Sequence, residues 1–535
     1  MSEMIYNPLE EFEQKYAASH LENTRQYFEE LVSRSGVDIA ANKETVKQYH
    51  FYKENVRKLR TKCNWLRFLR VLMCITLVLI PVVILKTTPA IRKLREEIET
   101  ADNKAEEFLA QAYAQMQPLN RLFTDRDALK IIEKTIPLVD FDTCFTAKQE
   151  ADMKENYDFR PQDSEERSTL DVLSGTYNGN PFVFENKFIQ TMGTETYHGY
   201  KTISWTETYY SDGKLRTRRR SQTLHATVVK PKPFYSTQVV LSYGAQGAPE
   251  LSFTRDAGNL DEKSEAAVKR HVKRGEKKLK RMTDQAIANN DDFMSMSNTE
   301  FEVLFDALDR THEVQYRTLF TPLAQTNMVD LILSKVGFGD DFNFFKRNRM
   351  NTIVTEHSQG REINLLPNAY TSYDFEIIKS QFESKNVAFF KAVYFDFAPL
   401  WAIPAYQERP VHSLKPIPDF SRQYAYKECE ALANVMDRRY VVHPNSKTPA
   451  ILKTEYLGSQ GAEEQTRVTA HSFDIFQRVD YVPVWGGDGH CHNVAVPWDE
   501  YIGLVALNDF VISTIQTAGD KKVIATRNDL CIYQR

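Results

Sequence analysis

The chain has 535 residues, too many for one hydrophobic core, so two or three folded units are expected. Its formal net charge of -4 gives no overall attraction to a polyanion, so a nucleic acid is not an expected partner. The six cysteines, at positions 63, 74, 144, 429, 491 and 531, have no paired spacing and indicate neither a disulfide framework nor a zinc ribbon.

Residues 1–63 are predicted to form a helical arm. Their apolar positions keep a roughly heptad spacing on a charged background. The positions that carry this spacing are Val46, Tyr49, Val56, Leu59 and Cys63. An arm of this kind needs a partner helix to cover its apolar stripe.

Residues 66–85, "LRFLRVLMCITLVLIPVVIL", predict a transmembrane helix at 64–86, through which the chain would contact a lipid bilayer. About twenty apolar residues are enough to cross a hydrocarbon core of about 30 Å. Arg67 and Arg70 at one end and Lys86 at the other would reach the headgroups. The alternative is a buried core helix. The long hydrophilic stretch before the segment excludes a cleavable signal peptide.

The charges beside this segment predict a single-pass protein with a cytoplasmic N-terminus. Residues 57–70 carry six Lys or Arg and residues 86–99 carry four, and the more basic side is normally cytoplasmic. The side of the C-terminal region stays open, because its lone cysteines disfavour an oxidising compartment.

Residues 87–135 are predicted to form a helical stalk. Apolar positions alternate by three and four, as in a coiled-coil seam. These positions are Ile98, Ala101, Ala105, Phe108 and Ala112. The seam is only about two heptads long, so it could serve a homo-oligomer or pack on the chain's own domain.

From residue 136 the pattern changes to short strands, which predicts an α+β protein with two antiparallel β-rich domains, 136–350 and 351–535, and a few packed helices. Asp212 and Gly213 predict a tight hairpin turn, because both can adopt positive φ. The sequence "KPKPF", residues 230–234, is expected to end the second strand, since proline cannot donate to a ladder.

Helices interrupt the strands at three places. Residues 261–289 form one, with eight Lys or Arg against one Glu between 269 and 281. Its thin apolar stripe comprises Val268, Val272, Leu279 and Met282. A second helix is capped by Thr321, has Pro322 at its first position and is expected to end at Gly337. The third is "FSRQYAYKECEALANVM".

The order of these parts resembles an uncharacterised family of bacterial membrane-anchored proteins, a domain of unknown function. The likeness covers roughly residues 60–350 and includes "GTYNGNPFVFEN" and "FEVLFDALDRTHEVQYRTLFTPLAQTNMVDLI". In the family, a strand with an acidic-x-x-Tyr pattern precedes a Thr-Pro that opens a helix. The matching residues here are Glu313, Tyr316, Thr321 and Pro322. The family often has two spans where this chain has one, and the resemblance implies no catalytic residue.

Two basic segments are candidates for binding an anionic surface. Arg216, Arg218 and Arg220 alternate along one strand and would share a face near Tyr and Trp side chains. The helical segment contributes Lys273, Lys277 and Lys280. Anionic lipid, nucleic acid and an ordinary solvated surface are the alternatives, and the arginines could also pair with Glu195 and Glu207 across the sheet.

The stretch "WGGDGHCHNVAVPW" carries the one candidate metal site. On a strand, His490 and His492 share a face, with Cys491 on the other, and Asp488 or Asp499 could join them. A four-coordinate site needs further ligands, for which the available histidines are His443 and His471. The alternative is a plain hairpin, because "GGDG" is turn chemistry between alternating strands.

No Gly-rich phosphate loop, GxSxG, HExxH or EF-hand motif is present in the sequence, and no cofactor is implied. We therefore expect a membrane-anchored protein whose β-rich region binds or scaffolds a partner, for which another protein is one candidate. The alternative is a metal-dependent enzyme that uses His490 and His492.

Overall fold

A computed structural model describes residues 4–74, 80–160, 164–289, 293–411 and 422–534. The chain divides into two compact units. The sheet unit contains residues 1–9, 138–363 and 395–535, and the helical unit contains residues 10–137 and 364–394. The α+β class and the antiparallel, β-rich C-terminal region are confirmed, but the strands expected in two domains belong to one unit.

The helices alternate with strands only after residue 138. The α-helices are α1 (Pro8–Glu11), α2 (Ala17–Ser35), α3 (Ile39–Cys74), α4 (Ile80–Asn120), α5 (Asp127–Thr135), α6 (Ala147–Tyr157), α7 (Glu265–Asn289), α8 (Thr299–Phe305), α9 (Glu313–Leu319), α10 (Pro322–Leu333), α11 (Phe375–Trp401), α12 (Tyr426–Val435), α13 (Arg438–Val441) and α14 (Ile515–Ala518). A π-helix, Phe12–Tyr16, joins α1 to α2.

The strands form two antiparallel sheets. The strands are β1 (Val139–Phe141), β2 (Arg167–Tyr177), β3 (Asn180–Ser211), β4 (Lys214–Gly244), β5 (Ser252–Arg255), β6 (Phe342–Arg347), β7 (Met350–Thr355), β8 (Ile451–Gln460), β9 (Glu463–Trp485), β10 (Cys491–Thr514), β11 (Val523–Arg527) and β12 (Leu530–Tyr533). The seven-stranded sheet has the order β1-β2-β3-β4-β7-β6-β5, and the five-stranded sheet has the order β11-β12-β10-β9-β8.

In the helical unit, α3 and α4 pack side by side and antiparallel. The ring of Tyr52 stacks on that of Phe108, with centroids 5.6 Å apart, and Arg60 pairs with Asp102 at 2.5 Å. The predicted stalk seam is used here, because Ala101, Ala105 and Ala112 are buried. The seam of α4 therefore packs within the chain, and a homo-oligomer through it stays a prediction.

The predicted transmembrane helix at 64–86 is wrong. No helix in the described part of the chain is long and apolar enough to cross a membrane. The apolar run is divided: residues 66–74 end α3, residues 80–85 begin the antiparallel α4, and residues 75–79 lie outside the described residues. Each helix continues into charged sequence away from this point. The predicted single-pass topology depended on this span and is wrong with it, and the charge argument for a cytoplasmic N-terminus loses its basis.

Two long hairpins extend from the sheets of the sheet unit and pack on each other. We call residues 193–232 the β3–β4 arm and residues 472–505 the β9–β10 arm, since each strand there pairs mainly with its hairpin partner. Apolar side chains of both arms form one buried cluster, which contains Ile203, Leu224, Ala226, Val494 and Val496. This cluster joins the distal parts of the two sheets.

Helix α12 fills the space between the two sheets. On one side, Leu432 belongs to a core with Val468 and Ile512 of the five-stranded sheet. On the other, Ala431 belongs to a core with Val183 of the seven-stranded sheet. The third predicted helix is thus present, although its first residues lie outside the described part of the chain.

Three local predictions have clear outcomes. Asp212 and Gly213 have φ of 53° and 70° and form the predicted turn. Strand β4 does not end at "KPKPF" but continues through Pro231 and Pro233, which face Thr194 and Met192 of β3. Proline is tolerated there because β7 pairs with β4 only at residues 240–244, so β4 has an open edge at residues 231–233.

The helix after Thr321 is confirmed at its start and corrected at its end. The Thr321 hydroxyl accepts from the N–H of Ala324, and Pro322 is the first helical residue. The helix ends at Leu333, before the expected Gly337, because the next residue, Ser334, is extended.

Candidate functional site

Helix α7 is held on the sheet unit by a narrow apolar face. Val268, Leu279 and Ala286 are buried, and they fall on one side of a helix that turns about 100° per residue. Gly275 lies on the same side against Val303 of α8, where an added Cβ would come within 2.4 Å of a methyl carbon. This close approach fixes which side of α7 faces solvent.

The opposite side of α7 is a continuous basic face. Its members are Lys269, Arg270, Lys273, Arg274, Lys277, Lys278, Lys280 and Arg281, and all are exposed. They cover about half of the helix circumference over about 18 Å of its length. None of them forms an ion pair with any described residue. The one acidic residue within the segment, Glu276, accepts a hydrogen bond from Thr299 at 3.0 Å.

Charge is therefore strongly segregated in this chain. Residues 269–281 have a net charge of +7, which leaves -11 for the rest of a chain whose total is -4. The sequence prediction selected Lys273, Lys277 and Lys280, and the structure adds five cations to the same face. That they form no ion pair with a described residue could not be seen in the sequence, since any of them could have met a distant carboxylate.

The arginines of the β3–β4 arm share one face, as predicted. Arg216, Arg218 and Arg220 lie opposite Tyr209, Glu207 and Trp205 in the register. Here carboxylates are close. Arg220 forms an ion pair with Glu207, and Arg216 lies 3.7 Å from Asp212. Two of the three predicted cations are thus partly neutralised, which makes this face a weaker anion site than α7.

The second predicted carboxylate partner is engaged elsewhere. Glu195 forms an ion pair with Lys232 of β4, outside the arginine ladder. Of the two carboxylates that the sequence offered to the arginines, Glu207 therefore pairs with one of them, whereas Glu195 pairs with a lysine.

The His-Cys-His stretch lies where two strands meet the predicted "GGDG" turn. His492 is on β10, and its Nε2 lies 2.8 Å from Oδ2 of Asp488. His490 precedes the strand, and its backbone N–H donates to Oδ1 of Asp488 at 3.1 Å. Burial opposes the charge on Asp488, but these two contacts lower the pKa of its carboxyl. Asp488 therefore orders the turn and orients one imidazole.

The other proposed ligands are far from this turn. His471 lies on β9, thirteen residues before Val484, the partner of His492, so the separation is about 43 Å along the strand. His443 is near the same distant end of β9. Four residues after it, the backbone N–H of Lys447 donates to the carbonyl of Phe473, which is two residues from His471. Asp499 lies seven residues along β10 from His492, about 23 Å away.

No group of three or more His, Cys, Asp or Glu side chains in the described ranges is placed to hold a metal ion. The site at His490 and His492 therefore stays a prediction. What the structure brings together there is one imidazole and one carboxylate.

A buried charge cluster around α12 was missed in the sequence. Glu185 and Lys187 of β3 meet Lys427 and Glu430 of α12, and Lys453 of β8 lies 2.8 Å from Glu430. Burial lowers the pKa of the Lys187 ammonium, although Glu185 partly opposes this. All five side chains are largely inaccessible, so the cluster ties strands to the helix rather than receiving a substrate.

The sequence matches no protein-family model, no curated protein and no solved structure. The resemblance to a bacterial membrane-anchored family therefore stays a prediction from sequence motifs. One of those motifs differs in detail, because Glu313 and Tyr316 lie in helix α9 and not in a strand. Thr321 and Pro322 open a helix as the resemblance implies.

Proposed function

We propose that this chain is a binding protein for nucleic acid and that α7 docks on the phosphate backbone. The observation that carries the proposal is the basic face of eight exposed cations on α7, none of which pairs with a described carboxylate. Phosphate contacts from Lys and Arg supply most of the affinity of sequence-independent nucleic-acid binding. The face lies within the β-rich region for which a binding role was expected.

The shape of the basic face favours nucleic acid over a flat anionic surface. Its cations cover about half of the helix circumference, so a plane would reach only the central ones. A groove of double-stranded DNA has phosphates on both sides, and the major groove is wide enough to admit one α-helix. A flexible single strand can likewise wrap around a convex surface. Either arrangement would use cations at both flanks, such as Lys269 and Lys278.

The remaining charge would restrict where the partner can bind. The chain outside residues 269–281 has a net charge of -11 and repels phosphate. An overall charge of -4 therefore does not exclude a nucleic acid, because the local charge of the docking face decides the contact. The expected affinity is moderate and strongly dependent on salt.

The test is the binding of fluorescent single- and double-stranded oligonucleotides to the full chain, measured by anisotropy between 50 and 300 mM salt. We expect Lys273→Gln/Lys277→Gln/Lys280→Gln to lower affinity at least tenfold. The slope of log affinity against log salt should fall in magnitude by about 2 for the single strand and about 3 for the duplex, since three phosphate contacts are lost. Glutamine preserves helix propensity, so α7 should remain folded.

The matched control removes three cations from the β3–β4 arm, Lys214→Gln/Arg216→Gln/Arg218→Gln, and should change affinity less than threefold. The proposal fails if the native chain does not bind, or if the arm variant loses as much affinity as the helix variant. Binding to vesicles of anionic phospholipid without binding to oligonucleotides would also overturn it. In that case the basic face recognises a lipid surface.

A further inference from the structure

We propose that His198 and His225 form a surface site for a divalent transition-metal ion. Nδ1 of His198 lies 2.9 Å from Nε2 of His225, and the two rings are nearly parallel, with an interplanar angle of 13°. Both side chains are exposed. Imidazole nitrogen is the commonest metal ligand in proteins and suits transition metals, so two that converge at an open surface can share one ion.

The hairpin register brings the two histidines together. His198 faces Thr227, and Tyr200 faces His225, so the histidines occupy diagonal positions on neighbouring strands. The ring of Tyr200 stacks on His225 with a centroid distance of 4.8 Å. This stacking limits the rotation of the His225 ring and holds its Nε2 toward His198.

The strands under this pair pack against the β9–β10 arm. Leu224 and Ala226, which flank His225 in sequence, point to the opposite face and are buried against Val494 and Val496 of the β9–β10 arm. Gly199, beside His198, lies so close to β10 that a Cβ there would be 2.3 Å from the carbonyl oxygen of Ala495. A site built on strands that are fixed from behind holds its ligands in place.

The nitrogen separation favours Cu²⁺ or Ni²⁺ over Zn²⁺. With metal–nitrogen bonds of about 2.0–2.1 Å, two nitrogens 2.9 Å apart subtend about 90° at the metal. That angle suits adjacent ligands of a tetragonal or square-planar ion, which is the preference of Cu²⁺ and Ni²⁺. Tetrahedral zinc would require the nitrogens to separate to about 3.4 Å.

Binding would exchange one hydrogen bond for two metal bonds. In the metal-free pair, one neutral imidazole donates its N–H to the other nitrogen. When the ion binds, that proton moves to the remote nitrogen of the donor ring, so no proton is released and no electron is transferred. The residues beside the pair on this face are Thr196, Tyr200, Thr202, Thr223, Thr227 and Val229. They bear no carboxylate, so water would complete the coordination.

The test is a titration of the tag-free chain with CuSO4, followed by calorimetry and by electron paramagnetic resonance. We expect one strong Cu²⁺ per chain with a spectrum that shows two nitrogen ligands. His198→Ala and His225→Ala should each weaken binding at least tenfold and remove one nitrogen from the spectrum. A change of one residue on an exposed strand face leaves the buried cluster intact.

The matched control is the variant His490→Ala/His492→Ala, which removes the histidine pair at the turn. It should leave this Cu²⁺ site unchanged. If the control abolishes strong binding and His198→Ala/His225→Ala does not, the site is at the turn and the proposal is wrong. Tighter binding of Zn²⁺ than of Ni²⁺ would contradict the assigned geometry. The site is independent of α7, so neither result bears on nucleic-acid binding.

Discussion

Nδ1 of His357 lies 2.5 Å from Oδ2 of Asp341, which makes this the closest histidine–carboxylate contact that the structure describes. The other ring nitrogen, Nε2, lies 3.3 Å from Oδ1 of Asp396, and the ring stacks on Phe338 at 3.7 Å. Burial opposes a charge on His357, but the two carboxylates outweigh it and raise its pKa to about 9. His357 is therefore a buried cation at neutral pH.

Replacement of His357 by Gln should remove a pH-dependent part of the stability. The folded pKa, about 9, lies above the ordinary value of 6.5, so the contribution is complete below pH 6.5 and is lost as the pH rises through 9. Its size is on the order of 3 kcal/mol. Urea unfolding at pH 6, 7.5 and 9 should show this loss in the native chain relative to His357→Gln, because the other titrating groups act equally in both proteins. An equal loss in His357→Gln would disprove the assignment.

Removal of Arg310 alone should destabilise the sheet unit much more than removal of Arg310 together with Glu302. The guanidinium is fully buried, 2.6 Å from Glu302 and 2.7 Å from Glu313. Arg310→Ala leaves buried carboxylates unpaired and should cost about 3–5 kcal/mol of unfolding free energy. The double variant Arg310→Met/Glu302→Met should cost less, because apolar groups replace these two charges and Glu313 keeps its ion pair with Arg317. Denaturant unfolding of the native chain and the two variants measures these losses of unfolding free energy. Equal losses in the two variants would refute the prediction.

Local features of the fold could be predicted where neighbours in sequence determine them. Asp212-Gly213 specifies its turn through backbone φ, and Thr321-Pro322 specifies a helix start. The same turn also determines which residues of the two strands face each other. Pairing counted outward from Asp212-Gly213 places His198 one diagonal step from His225, so the pair could have been found from the sequence.

Features that depend on distant partners could not be predicted in this way. The hydropathy of residues 66–85 does not reveal that the run is divided between α3 and α4, since that depends on contacts such as Tyr52 with Phe108. The tolerance of Pro231 depends on where β7 stops pairing with β4. Likewise, the sequence made the basic segment of α7 a candidate site, but it could not show that these cations form no ion pair with a described carboxylate.

A buried lysine should produce the opposite pH dependence to His357. Lys346 donates to the carbonyl oxygens of Gly247 and Asn348, and burial lowers its pKa to about 7. The unfolded chain keeps this proton up to about pH 10.4, so the contribution of Lys346 to stability should rise between pH 7 and 10. In a His357→Gln background, the further change Lys346→Met should flatten that rise, as measured by urea unfolding. A rise of unchanged size would contradict the lowered pKa.

The packing of the two arms should depend on Gly199. A Cβ at this position would lie 2.3 Å from the carbonyl oxygen of Ala495 and 2.8 Å from a methyl of Val496, so Gly199→Ala should force the β9–β10 arm away. We expect a loss of about 1–3 kcal/mol and faster amide hydrogen exchange in residues 494–498. Gly503→Ala is the control, because a Cβ there meets nothing within 4 Å. Alanine suits a strand better than glycine, so Gly503→Ala should keep slow exchange. Slow exchange in this control and fast exchange in Gly199→Ala would locate the effect at the contact between the arms. Unchanged exchange in both variants would show that the packing of the arms does not depend on this close approach.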